Sequence, residues 1–525
     1  MDRTIAIENL AFFTVKQASR ANKAWTKKSS VVNTARPMSP ALRPWKWPVL
    51  TGLIFSMASS VFCQTNLLSD GGELGIAQNV AGNQLRPAAA FSSAGGFAVW
   101  EDNTEISGVG IRGVRLNPAL QPTGAEFPIN ESIGGDQQRP AVVLLDNGGA
   151  VIVWEHRPIK GLHSVHARFL DGSGAFVTGE LVVNQIPYSG KYHFVTNWTL
   201  IRNNKPRTRK QRIRAVVKAR QEYNLDPAVV KLADGSVVVT YGSSRKSALK
   251  SVGLNEQIVW NDKRQMIMTN RTRVPINVSV DYMQDVYLQR FSADGARLGG
   301  EAVVNATLPF NQRNPSIAAL PDGGFVVCWV SEAPSFNSER VDSRATQRGL
   351  ARADIAARLF HADGSPAGGE FRINTTNMPC AAPAVAARAD GGFVVAWTQH
   401  YGGSDSGADV WFRSYDSSGA AQGVPARANA RVYGDQFAPA IGTIGQRQLI
   451  VWSSMGQDGS WEGVYGTQIE NGGIVDDEFR VNTTRYLRQI HPSVAVGGGR
   501  ALVLWSSYAY EHGFDVLGQR YAAPQ

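Results

Sequence analysis

One line of sequence returns along the chain at intervals too regular to be chance. NPSIAALPDGGFVVCW at 314–329 is echoed by APAVAARADGGFVVAW at 382–397 and by RPAVVLLDNGGAVIVW at 139–154. More diverged copies start at Pro87, Pro227, Pro439 and Pro492, which makes seven units. An aromatic follows each anchor proline after 13 or 14 residues: Trp100, Trp154, Tyr241, Trp329, Trp397, Trp452 and Trp505. A period of this kind means one supersecondary unit, repeated because it cannot bury its apolar faces alone. Within a unit, alternating β-branched and aromatic residues are broken by Asp-Gly, Asn-Gly or Gly-Gly, the mark of strands joined by tight hairpins. A second pair of segments, clearest in DVYLQRFSADGARLGGEAVVN and DIAARLFHADGSPAGGEFRIN, completes four antiparallel strands per unit.

Seven such units predict an all-β chain folded as a seven-bladed β-propeller over 64–525, in which each blade packs on its neighbours. The chain ends supply an independent clue. The last unit stops at DVLGQRYAAPQ, a third strand with no fourth. The missing segment stands at the other end, where DGGELGIAQN at 70–79 resembles the fourth-strand segment GGEFRIN. An N-terminal strand that completes the last blade would close the ring and remove its unpaired edges.

The pattern P-x-V-A-x-L-x-D-G-G-F-V-V-x-W, followed by Q-R-F-x-x-x-G-x-x-x-G-x-E-F-x-V-N, resembles tandem repeats of large secreted bacterial proteins. The resemblance spans about 70–525 and is sharpest at Asp322, Gly323, Gly324, Phe325 and Trp329, and again at Asp390, Gly391, Gly392, Phe393 and Trp397. It implies an exported propeller and no particular chemistry. Unit three departs from it, with Tyr241 where the others carry Trp.

Export is also expected from the N-terminal region. From Met38 a short positive stretch with Arg43 and Lys46 leads into PVLTGLIFSMASSVF and then Cys63-Gln64, the layout of a signal peptide over 38–63. Residues 1–37 read as an upstream extension. A single membrane anchor is the competing reading, but the apolar run is short and serine-rich for a span. The expected product is secreted, extracellular or periplasmic, with no stable membrane insertion, and monomeric. Cys328 and Cys380 then remain, and whether they bridge is open.

Several polar residues recur with the repeat. Gln84, Gln137, Gln312, Gln436 and Gln489 each precede an anchor proline by three positions and are expected to hydrogen-bond between blades. The Asp-Gly pairs are turns, because they lack the alternating acidic ligands of a calcium loop. No cofactor motif is present, and no metal or cofactor is expected.

Function is expected where the repeat is broken. Successive anchor prolines are 53, 87, 88, 68, 56 and 53 residues apart, so units two to four carry insertions, at about 185–226, 242–284 and 330–353. All three fall in links that leave one rim, where loop-built sites form. The first has ten basic and two acidic residues and the second seven and three, a net +12 on a chain whose total is +10. Without residues 1–63, which hold nine basic and two acidic residues, the rest of the scaffold is near −9.

The ligand-binding candidates are Lys205, Arg207, Arg209, Lys210, Arg212 and Arg214, with Tyr192 and Trp198 as stacking partners. Two function classes follow. One is a binding module for an acidic polysaccharide, cell-surface polymer or protein partner, with nucleic acid disfavoured by export. The other is a polysaccharide lyase, since a seven-bladed scaffold with a basic, His/Tyr-lined face is similar to ulvan lyases at the level of fold. Elimination from a uronate needs a base (His156 or His193), an acid (Tyr188 or Tyr241) and a cation at the carboxylate (Arg245). His156, His163, His166 and His193 concentrate within 38 positions, but His163 and His166 sit three apart on a strand and face opposite ways, which counts against a shared metal.

Overall fold

The computed structural model describes residues 67–525 except 78–80, 105–107, 160–162, 186–193, 203–204, 214–223, 245–249, 262–265, 278–283, 308–310, 334–351, 402–405, 512 and 523–525. The expected signal peptide and upstream extension lie outside these residues. Among the described residues no helix is long and apolar enough to cross a membrane. The chain is all-β, built of four-stranded antiparallel sheets whose strands follow one another in sequence. Unit one, for example, consists of Gln84–Ser92, Gly95–Asp102, Gly110–Leu116 and Pro122–Pro128. The sheets of units five and six are joined by a short parallel contact of Ser406 and Ala408 with Gly434 and Asp435.

The repeated line of sequence builds the first hairpin of each unit. In unit four, Asp322 Oδ1 accepts the Gly324 N–H at 2.9 Å, and Gly323 takes φ of 92°, where a side chain would be strained. Gly324 has no room for a Cβ, which would stand 2.6 Å from the Phe360 carbonyl oxygen. The turns between third and fourth strands are likewise self-contained: Asp171, Asp363 and Asp416 each accept the N–H and hydroxyl of the serine two residues on.

The second strands read as unbroken apolar runs because both of their faces are covered. Ala150–Trp154 and Phe325–Val330 are completely buried. Alternate side chains of each strand serve different neighbours. Phe97 and Val99 pack with Ile152 and Trp154 of unit two, whereas Ala98 and Trp100 pack with Leu502 and Leu504 of unit seven. Every strand-two tryptophan, and Tyr241 in unit three, packs toward the preceding unit. The innermost strands pack in the same succession: Gln84–Ser92, Asp136–Leu144, Asn224–Lys231, Gln312–Ala319, Cys380–Ala387, Gly434–Ile444 and Gln489–Gly497, the last of which packs on the first.

The sequence-based expectation for the chain ends corresponds to a specific pairing. Leu74–Ala77 lies antiparallel to Gly513–Ala522, with Leu74 opposite Gly518 and Ala77 opposite Val516. Leu68–Ser69 pairs farther along the same strand. Just before Leu74, Glu73 accepts the N–H groups of Thr483 and Thr484 and the Thr484 hydroxyl, the last at 2.6 Å.

Two details differ from the sequence reading. Gln137 and Gln312 bond within their own unit, accepting the indole N–H of Trp154 at 3.0 Å and of Trp329 at 2.9 Å. A buried indole needs a partner, and strand pairing brings the glutamine of the first strand alongside it. Gln436 and Gln489 receive a bond from the preceding unit, from Asn429 and Asn482. Cys328 and Cys380 share a cluster between units four and five but do not bridge, and burial pushes the Cys328 thiol up to about 12.

Deleting residues 64–80 should expose the edge of Gly513–Ala522 and lower the melting temperature by several degrees, whereas Glu73→Ala alone should cost about 1 kcal/mol. Thermal melts of the three proteins check this. A truncated protein that melts like the parent would show that the segment contributes nothing.

Candidate functional site

Each first strand is broken at its anchor proline, which has no N–H to give to the ladder. Pairing shifts register between Leu85 and Ala88, between Gln138 and Ala141, and at the same place in the other five units. The residue before the proline is forced left-handed. Arg86, Arg139, Asp226, Asn314, Ala382, Ala438 and His491 have φ between 47° and 54°. That conformation costs about 1–2 kcal/mol for most L-residues and least for Asn. These seven residues and their prolines line one cavity of about 380 Å³, within the size range of small-molecule sites. Ladder breakage and left-handed backbone at the wall of a cavity are features that cluster where function resides.

The wall has two halves. Units five and six contribute alanines, and the other five contribute charged or polar groups. Arg139 pairs with Asp226 and lies 3.6 Å from Glu155. Asn314 donates to Asp226 at 2.8 Å. Arg86 grips both oxygens of Glu101 at 3.0 and 3.1 Å, and Glu101 also accepts the Arg139 N–H at 2.7 Å. Glu155 is wholly buried and accepts from Arg157 at 2.7 and 2.9 Å. Its carboxyl is pushed up to about 7, first by burial and then by Asp226, against the pull of Arg139 and Arg157. His491 is pushed down to about 3 by burial and by Arg86, Arg139 and Arg488, so it is neutral at pH 7. The arrangement is a seat for a small polar group, with guanidinium donors on one side and a neutral imidazole among them.

The pre-proline residues lie near the starts of first strands, and Glu101 and Glu155 near the ends of second strands. The long links leave from those same ends. The first two insertions contain hairpins. Phe194–Arg202 pairs with Lys205–Ile213, and Lys250–Asn261 with Met266–Asn277. The first strands of the two hairpins approach each other. The register sets Trp198 opposite Arg209, Leu200 opposite Arg207, Asn197 opposite Lys210, Val195 opposite Arg212 and Arg202 opposite Lys205. Six basic residues and no acid therefore share one hairpin.

The remaining sequence candidates are scattered. Tyr188, Tyr192, His193, Arg214 and Arg245 lie outside the described residues. Tyr241 is 0% exposed, sits in the tryptophan's place in the core, and bonds through its hydroxyl to Glu301. A proton donor must reach its substrate, so Tyr241 is here a core residue and not a surface acid. His156 is half-buried, with Nδ1 2.9 Å from Gln137 Oε1 and its pKa lowered first by burial and then by His166. His166 packs 4.6 Å from it, ring to ring, and is tied to Ser164 and Glu180. His163 contributes its carbonyl to Asn224 at 2.7 Å.

The polar cavity wall was not among the sequence candidates, although a signal existed. The position before the anchor proline reads Arg, Arg, Asp, Asn, Ala, Ala, His across the seven units, variable beside an invariant neighbour.

No protein-family model matches the chain, and neither does any curated protein. Solved structures with a similar strand arrangement include an α-L-arabinofuranosidase of Fusarium graminearum, at 10% identity and a TM-score of 0.44 over 77% of this chain and 98% of that one. A polysaccharide lyase is similar at 9% and 0.44, over 87% and 100%, and an α-L-arabinanase of Penicillium chrysogenum at 11% and 0.42, over 87% and 98%. At such identities they carry no activity over to this chain.

His491→Asn should fold, since Asn314 holds the same left-handed position in unit four. A histidine whose folded pKa is depressed costs stability as pH falls below its unfolded value of about 6.5. Urea midpoints measured from pH 7 down to 4 should therefore fall less in the variant than in the parent. Parallel curves would show that the buried imidazole contributes nothing to acid sensitivity.

Proposed function

We propose that this chain is an exported, seven-bladed β-propeller that binds an anionic polysaccharide on the rim carrying the two basic hairpins. A ring of seven is supported by the succession of inner strands, by the cluster joining units seven and one, and by the N-terminal strand beside Gly513–Ala522. The observation that carries the binding reading is the distribution of charge: +12 on two insertions against a scaffold near −9. The hairpin's pairing puts Trp198 opposite Arg209 and gathers six basic residues on two strands, residue types that can meet carboxylates or sulfates and a sugar ring. The polar cavity at the same strand ends is suited to a single polar unit of such a chain.

The lyase reading has one observation of its own. Burial keeps His156 unprotonated at neutral pH, as a proton-abstracting base requires. His193 is the other base, Tyr188 the acid and Arg245 the carboxylate-neutralising cation in that reading.

Replacing Arg207, Arg209, Lys210, Arg212 and Arg214 together with Ser should weaken affinity for a polyuronate at least tenfold at low salt and flatten its salt dependence, because screened charge contacts supply the attraction. Melting temperature should stay within a few degrees. Unchanged affinity would sink the binding reading. Unsaturated, ultraviolet-absorbing ends that the parent releases and His156→Ala does not would establish the lyase.

A further inference from the structure

In unit two, two departures from the repeat fall on neighbouring positions of the third strand. The residue that precedes the asparagine-bound N–H is Asp285, Asp354 and Asp409 in units three, four and five, and each of these carboxylates accepts the amide of its unit's asparagine at 2.7–2.9 Å. In unit two that residue is Ser164. Two residues on, where units three, four and five carry Tyr287, Ala356 and Trp411, unit two has His166, which strand periodicity puts on the same face. Ser164 Oγ lies 2.7 Å from His166 Nε2, and His166 Nδ1 is bonded to Glu180.

Glu180 is fixed independently of the histidine. It accepts the backbone N–H groups of Glu131 at 2.7 Å and Ser132 at 3.0 Å. Burial opposes its charge, but the bonds from His166 and these N–H groups hold the carboxyl at about 2. The imidazole is held as well, 7% exposed, with the His156 ring 4.6 Å away on one side and Trp154 at 6.0 Å on another. Ser164 keeps partial access to solvent. Asn184 spends its side-chain oxygen on the Val165 N–H at 3.0 Å.

We propose that Ser164, His166 and Glu180 form an acyl-transfer site that hydrolyses carboxylic esters. The order hydroxyl, imidazole, oriented carboxylate is the one that makes a serine nucleophilic, whatever fold carries it. Ser164 Oγ bonds to the ester carbonyl carbon as its proton passes to His166 Nε2. The carbon–oxygen bond to the alcohol then breaks, and the alcohol leaves with that proton. Water, deprotonated by the same nitrogen, attacks the acyl-serine and releases the carboxylic acid, with no redox partner involved. Glu180 acts by orienting His166 and balancing its charge. The substrate class is an O-acyl ester small enough to enter at the end of the third strand. This proposal does not rest on polymer binding.

The test is labelling of the full chain with a fluorophosphonate, followed by peptide mass spectrometry, with p-nitrophenyl acetate hydrolysis measured in parallel. Native parent should be phosphonylated at Ser164, and heat-denatured parent should not. Ser164→Ala should lose the label and the ester turnover. His166→Gln should slow both by at least a thousandfold, since removing a triad base costs most of the triad's rate enhancement. Ser173→Ala, at the exposed turn between the third and fourth strands of the same unit, removes no member of the relay and should stay within a few fold of the parent. Native parent unlabelled at Ser164, or labelling that survives denaturation or His166→Gln unchanged, would overturn the assignment.

Discussion

Six times among the described residues an asparagine ends the fourth strand of a unit and takes, through its side-chain oxygen, an N–H of the third strand. Asn130, Asn184, Asn305, Asn374, Asn429 and Asn482 do so at 2.7–3.0 Å, and five of them also give their amide to the carbonyl two residues on. After five of these asparagines the backbone is then gripped by a glutamate of the next unit. Glu180, Glu301, Glu370, Glu478 and Glu73 accept the N–H groups that follow Asn130, Asn184, Asn305, Asn429 and Asn482. A carboxylate on backbone N–H groups makes charge-assisted bonds, stronger than neutral ones. Apolar packing between units is non-directional, and these bonds are what fix one sheet's register against the next. Glu73 matters most in this light, because it makes the repeat's own contact from the opposite end of the chain.

That outer clamp is the counterpart of the strain at the centre. Seven left-handed residues before seven prolines stand where the ladder breaks, and for three of them the second strand of the preceding unit supplies an acceptor to the N–H. Glu101 takes the N–H of Arg139, Glu155 that of Asp226, and Thr398 that of Ala438. Where the acceptor is a glutamate the wall also becomes charged, and both glutamates lie next to units that carry insertions. The basic hairpins are inserted after unit two and within unit three, the units that contribute Arg139, Glu155 and Asp226 to this part of the structure.

The repeat was legible because it is written in side-chain periodicity. Trp154 and Trp329 announce themselves as core, and DGGELGIAQN reads as a displaced fourth strand, with Glu73 and Leu74 where that strand's other copies have them. Left-handed backbone at Arg86 or His491 has no such signature, since an arginine or histidine before proline gives no hint of its φ. The inserted hairpins were hidden for a different reason. Lys205–Ile213 is too rich in charge to show alternation, and its pairing with Phe194–Arg202 supplies an order that composition lacks. Tyr241 looked like a candidate acid because a lone tyrosine in place of tryptophan stands out, yet the substitution keeps the core position and adds a hydroxyl that finds Glu301. Ser164 and Glu180 could not be joined in sequence, because their link runs through an imidazole that the fourth strand reaches only after a turn.

The central functional claim is that fixed cations on one rim recognise the acidic groups of a polymer. Binding of the intact protein to a polyuronate, compared with the same polymer after chemical reduction of its carboxyl groups to alcohols, tests that claim most directly. The sugar backbone, chain length and stacking surface stay alike in the two ligands, and only the charge changes. The account predicts that affinity for the reduced polymer falls by at least tenfold at low ionic strength. Equal affinity for both forms would contradict it.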